Sequence, residues 1–232
     1  MAAGAATLAE VSFDGIPLRA FEFYAGLEAD NSKTYWTTHK AIYDRDVKAP
    51  LQAFAERVER DEHGFGEVKL FRPHRDVRFS ADKSPYKDHQ GLVAGQPPGL
   101  GYYLQISAEG LALGGGFHAV SPAQTAGWRA AVDAPASGGE IAALVAAASG
   151  AGADILGERV KTTPRGYAAD HPRIELIRLK ELMLLWHLGV PDWIDTPAAG
   201  DRIIEHWRTL TPIMRWLETH IPAPSPRDSG RR

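Results

Sequence analysis

The apolar positions along this chain change period twice. From Pro17, the residues Leu18, Phe21, Tyr24 and Ala25 recur at helical spacing, and the polar stretch Glu28–Asn31 closes that helix. Asn31 or Ser32 is placed to cap a second helix carrying Tyr35, Trp36, His39, Ile42 and Tyr43. Pro50 fits the first turn of a third, with Leu51, Phe54 and Val58 as its stripe. After Gly64 the period falls to two. Val68–Leu70, Leu92–Ala94, Tyr102–Ser107 and Leu111–Leu113 read as strands, and Ala108-Glu109-Gly110 predicts a hairpin between the last pair.

Helical spacing then returns. Ser121-Pro-Ala-Gln124 and Ser137-Gly-Gly-Glu140 both match a capping box, which predicts N-caps at Ser121 and Ser137. Arg159–Thr163 is a further strand candidate, and His171-Pro172 opens an amphipathic helix with Ile174, Ile177 and Leu179. Leu182–Leu188 fits a buried helix and a buried strand equally, because short apolar runs fit both. Pro197 starts a last helix, which Pro212 kinks or restarts. Helices, then strands, then helices predict an α+β fold: one domain over residues 15–221 with a mainly antiparallel sheet flanked by helices. Residues 1–14 are expected to be flexible, and residues 222–232, rich in Pro, Ser and Arg, a disordered tail.

Composition narrows the chemistry. The 232 residues contain no cysteine, so disulfides, thiolate catalysis and cysteine-held zinc are absent, in keeping with a cytoplasmic protein. The start of the chain lacks the basic and apolar regions of a signal peptide, and no apolar run is long enough to cross a membrane. Five of the six tryptophans, at 36, 128, 186, 207 and 216, fall on apolar patterns and are expected in the core.

Charge is the most informative feature. The chain carries a formal −3, yet Lys69–His89 holds six Lys and Arg against three Asp, and Arg159–Lys180 holds six against two acids. The rest of the chain is therefore strongly acidic. Arginine suits bidentate binding of phosphate or carboxylate, and lysine supplies a mobile point charge. The expectation is that both segments converge on one concave site for a phosphorylated or otherwise anionic small molecule. Arg72, Arg75, Arg78, Lys83, Tyr86, Lys87, Arg165 and Tyr167 would bind it, and Asp76 and Asp82 would orient them. His74, His89 and His171 are the candidate acid–base groups, though no catalytic residue is assigned by the pattern.

Two other readings stay open. The charges form an internal salt-bridge network in a non-catalytic interaction module, or the chain is a nucleic-acid accessory protein with Phe79, Tyr86 and Tyr167 stacking on bases. Nucleic acid is not favoured, since no helix-turn-helix or sheet-platform motif is visible. No histidine has metal-ligand spacing, so neither metal nor cofactor is expected. Gly114-Gly115-Gly116 lacks the Lys-Ser/Thr of a phosphate loop, and close packing of a strand against a helix is its expected role.

The strings FRPHRDVRFSADKSPYKDHQG, GYYLQIS, GGGF and KTTPRGYAADHPRIELIRLK closely resemble the domain of unknown function 2461 family. The most specific motif is Arg-Asp-x-Arg-Phe-Ser-x-Asp-Lys-x-Pro-Tyr-Lys, here Arg75–Lys87. Pro164-Arg-Gly-Tyr167 with His171-Pro172 is the second. The resemblance runs from about Phe21 to Trp186. It implies one soluble domain over most of the chain and assigns no catalytic residue.

Overall fold

The structure, a computed structural model, describes residues 12–76, 78, 83–95 and 99–223. Helix α1 (Leu18–Ala29) buries Ala20, Phe21, Phe23, Tyr24 and Leu27. The Ser32 hydroxyl accepts the Tyr35 N–H at 3.1 Å and caps α2 (Lys33–Ile42). That helix does not stop before Pro50, as the sequence suggested. A π-helical turn (Tyr43–Lys48) joins it directly to α3 (Ala49–Glu59). Pro50 has no N–H to give, and the widened turn takes up the lost bond without breaking the rod.

Six strands follow in chain order as β1 (Glu67–Leu70), β2 (His89–Gly95), β3 (Leu100–Ser107), β4 (Gly110–Phe117), β5 (Asp154–Leu156) and β6 (Leu182–Gly189). They form one antiparallel sheet in the order β1-β2-β3-β4-β6-β5. The ambiguous Leu182 run is thus a strand, held between β4 and β5. The hairpin turn falls at Ala108-Glu109, and Gly110 takes the positive φ of +113° that the turn requires. Arg159–Thr163 is not a strand beyond a single bridge from Arg159 to Leu179.

Ser121 caps α4 (Pro122–Asp133) as expected, accepting the Gln124 N–H at 3.4 Å. Ser137 is not a cap. Helix α5 (Pro135–Gly150) starts two residues earlier, because Ala134 is extended and Pro135 is preset for the first helical turn. The Ser137 hydroxyl instead donates back to the Ala131 carbonyl at 2.7 Å. The His171-Pro172 segment yields only the one-turn α6 (Ile174–Ile177) before the chain is drawn into β6. Helices α7 (Ala199–Thr209) and α8 (Thr211–His220) are separated at Leu210, where Pro212 restarts the helix.

The registers decide how the layers stack. Side chains opposite one another on antiparallel strands share a face. Leu92, Leu104, Leu113 and Trp186 therefore point one way, as do Ile106, Leu111, Phe117, Leu182 and Leu184. All of these belong to the two core clusters, one under α1–α3 and α7, the other under α4, α5 and α8. The five tryptophans named above are at most 9% exposed. The result is an α+β domain of two layers: among the described residues, the helices pack on one face of the sheet. Gly115 lies on that face because a Cβ there would sit 3.1 Å from Leu210 Cδ1, the close helix approach expected of the glycine run. Its neighbours Gly114 and Gly116 do something else: a Cβ on either would collide with the β6 backbone at Leu184 or Leu182.

Candidate functional site

Beyond the ends of β1 and β2, antiparallel pairing continues into an arm. The Phe71 N–H bonds Gly91 O at 3.0 Å, Lys87 N–H bonds Pro73 O at 2.8 Å, and Arg75 N–H bonds Pro85 O at 3.0 Å, with His74 and Tyr86 bridged between. The arm carries the densest part of the basic segment. Asp82, expected to orient a cation, and Phe79 lie outside the described residues.

Helical side chains fix the base of the arm. Asn31 bonds both backbone groups of Tyr86. The Tyr86 ring stacks on Trp36 with centroids 4.3 Å apart and planes 9° apart, and His74 lies 5.2 Å from Tyr86. Tyr86 is buried, so it is part of the core and not a ligand-binding surface. Its ring face is already spent on an indole. Beneath it, the buried Gln90 takes the Tyr43 hydroxyl proton on Oε1 at 2.9 Å and gives Nε2–H to Phe71 O at 2.6 Å. Burial, then Asp44, pushes the Tyr43 phenol up to about 12. The Tyr24 hydroxyl is fully buried nearby and has no hydrogen-bond partner among the described residues. Burial raises its pKa, with Tyr43 and Asp88 adding to the effect.

The cations divide into three groups. Lys87 lies 5.1 Å over the Phe71 ring, and its pKa is held below the usual ammonium range, first by burial and then by Arg72 and Arg75. Lys87 sits on the arm segment that pairs with Arg72–Arg75, since its N–H bonds Pro73 O. Asp88 is 3.5 Å from Arg75 and also bonds His89 Nδ1 at 2.7 Å. Arg78 is different: its guanidinium grips Asp76 through Nε at 3.0 Å and Nη2 at 2.7 Å, and Asp76 drops to about 2 under that side-chain bond and the Arg78 N–H. Asp76 and Arg78 thus hold one another, in an exposed pair. Lys83 is exposed farther along the arm.

Arg165, Tyr167 and His171 are elsewhere. The second basic segment leads into β6 at Leu182, which is level with Phe117 and Leu100. The arm leads into β2 at His89, level with Ser107 at the other end of β3. The arm at β2 and the second segment at β6 leave opposite ends of the sheet, about 14 Å apart across three strand spacings and roughly 25 Å apart along the strands. The expected convergence does not occur. Antiparallel order, which the sequence periodicity could not supply, inserts β3 and β4 between them. Four cations of the second segment have protein partners: Arg159 and Arg178 both bond Glu175 at 2.8 Å, Lys180 pairs with Glu158, and Arg173 donates to Val132 O at 2.7 Å. His171 accepts the Arg173 N–H at 3.0 Å and lies 3.3 Å from Asp133, a turn-fixing role.

The family model for conserved hypothetical proteins DUF2461 matches residues 19–216. The chain belongs to the DUF2461 family. No curated protein and no solved structure matches it. The match spans both basic segments, so this DUF2461 chain carries the arm, its Asn31 clasp and the second segment within one family domain. Two clefts, of about 550 Å³ beside Arg19, Arg45 and Asp195 and about 450 Å³ beside His63, Tyr102 and Arg208, lie away from the arm, and no arm residue lines either. No helix among the described residues is long and apolar enough to cross a membrane, and no metal-holding cluster occurs among them. Sequence reasoning missed the Asn31 clasp, Tyr24 and Gln90. Asn31-Ser32 offered a hint, since only one of two successive cap-type residues can cap.

Proposed function

We propose that the arm binds a phosphate-type anion through Arg72, Arg75 and Lys87, as a smaller site than the two-segment one. The observation that supports this is the pairing of the two arm segments, which puts Lys87, over the Phe71 ring, beside the stretch that carries Arg72 and Arg75; burial and these two arginines lower the Lys87 pKa. Asp88 lies 3.5 Å from Arg75 and is a partner to it; a bound anion would add to that offset of neighbouring like charges. A phosphate beside the three would accept charge-assisted hydrogen bonds and relieve that repulsion. The rigid base, clasped by Asn31 and the Trp36–Tyr86 stack, holds the arm's position without ligand.

Thermal unfolding in inorganic phosphate and pyrophosphate tests the reading. A ligand present at a hundred times its dissociation constant adds about 2.7 kcal/mol. Lys87→Gln and Arg72→Gln should each remove most of that gain and leave the ligand-free melting temperature within a few degrees. Absence of any shift with both anions, or an undiminished shift in Lys87→Gln, overturns the proposal.

A further inference from the structure

The sheet face turned away from the helices has an unusual composition. Registers place its residues in rows across the six strands. One row runs Lys69, Val93, Tyr103, Gly114, Leu185, Asp154, and its neighbour runs Glu67, Gly95, Gly101, Gly116, Met183, Leu156. A third contains Gly91, Gln105, Ala112 and His187. An antiparallel sheet with one wet face normally presents polar side chains there. This face is instead mostly glycine and apolar side chains, and none of its residues belongs to either core cluster. Its larger side chains lie down over the glycines. A Cβ on Gly101 would meet Val93 Cγ2 at 2.6 Å, and one on Gly91 would meet the Tyr103 hydroxyl at 2.7 Å. Burial raises the Tyr103 phenol to about 12, and its hydroxyl donates to Gln105 at 2.8 Å. Leu156 at the rim is 43% exposed. Val93, Tyr103 and Met183 are half-buried, while Leu185 and Ala112 at the centre are buried. A partly exposed apolar face of this kind marks an interaction surface.

The rows also indicate the partner. A two-fold axis along the strands, between β3 and β4, exchanges β1 with β5, β2 with β6 and β3 with β4 of a second copy. It sets Lys69 against the second copy's Asp154, Val93 against its Leu185, and Tyr103 against its Gly114. In the next row, Met183 meets the second copy's Gly95. Lys69 meets Asp154 at both rims of the first row, Val93 and Leu185 meet as two apolar side chains, Tyr103 and Met183 each meet a glycine, and Glu67 meets Leu156 at the rim of the second row. We propose that this face is a self-complementary interface and that the chain pairs with a second copy of itself, sheet against sheet. Such isologous pairing repeats every contact twice. The face measures roughly 24 by 20 Å, about 1,000 Å² over both copies, at the low end for specific interfaces. A weak, reversible dimer is expected, with a dissociation constant on the order of 10–100 µM.

Sedimentation equilibrium of the full chain from about 1 to about 300 µM tests the association, with four variants to locate it. Lys69→Glu and Asp154→Lys each place like charges across both rims and should weaken the dimer at least about 5-fold. Mixed in equal amounts, these two variants should associate like wild type, because the heterodimer restores an opposite-charge pair at each rim. Val93→Arg and Met183→Arg should each weaken association about 10-fold or more. Lys69 and Asp154 are exposed, so the charge pair remains informative even where an arginine on the face unfolds the chain. A monomer throughout the range, a dimer indifferent to all four substitutions, or a mixture no tighter than its separate components overturns the proposal.

Discussion

The Asn31 side chain takes the place of a missing strand for Tyr86: its Nδ2–H donates to Tyr86 O at 3.0 Å, and its Oδ1 accepts the Tyr86 N–H at 3.1 Å. One amide side chain thereby satisfies both backbone groups of a residue whose ring is buried against Trp36. The basic arm is fastened to the start of α2 at this point.

Replacing Asn31 by Ala leaves a buried donor and acceptor unpaired, a cost of about 1–3 kcal/mol for each group that water cannot reach. The expected loss is about 2–3 kcal/mol. Asn31→Asp keeps the acceptor but forfeits the donor and should fall between Ala and wild type. Urea midpoints for the three proteins check the order; Ala and wild type unfolding together would remove the clasp from the account.

The buried phenols set an alkaline limit. Tyr43 and Tyr103 are pushed to about 12 by burial, and Tyr24 is also raised. Each exceeds the unfolded value near 10. Between about pH 10 and 12 the unfolded chain releases protons that the folded one keeps, so stability falls with rising pH and is fully present below 10. Denaturant midpoints from pH 8 to 11.5 should decline above 10, less steeply in Tyr103→Phe. Equal slopes for wild type and variant would contradict the burial of that hydroxyl.

Much of this fold was legible along the chain, for physical reasons that also explain the failures. Period-two runs located β1 and β3, along which burial alternates, the hairpin signal at Ala108-Glu109-Gly110 led on to β4, which is buried throughout, and Ser121 was legible because its cap is local. Ser137 was misread because Pro135 competes for the same helix start. Leu182–Leu188 stayed ambiguous because its strand character comes from β4 and β5, which are distant in sequence. Charge density pointed to the segment that carries Arg72, Arg75 and Lys87, whose two halves pair as an arm. It misplaced Arg165 because counting charges carries no information on strand order. Asn31 was legible only as a candidate cap, because the partner it clasps is 55 residues away.

Glycines separate by what stands where their Cβ would go. At Gly114 that position is occupied by the Leu184 carbonyl, a backbone atom that cannot swing aside. Gly114→Ala should cost about 2–4 kcal/mol or disrupt the β4–β6 pairing. At Gly139, in the interior of α5, nothing lies within 4 Å, and alanine should stabilise by about 0.5–1 kcal/mol through helix propensity and the stiffer unfolded chain. Thermal melts of the two variants should move in opposite directions.

The last prediction separates the arm site from charge in general. Arg78 is committed to Asp76 in an exposed pair, and such pairs contribute little to stability. Arg165 stands at the opposite end of the sheet, far beyond the Debye length of about 8 Å at physiological salt. Arg165→Ala should therefore leave the phosphate-dependent rise in melting temperature unchanged. Arg78→Ala should reduce it only slightly, and Lys87→Gln should remove most of it. A general response to positive charge would instead diminish in proportion to the charge deleted, equally in all three variants. Finding that equality would dismiss the site at Arg72, Arg75 and Lys87 as the cause, and a selective loss in Lys87→Gln would tie binding to those three side chains.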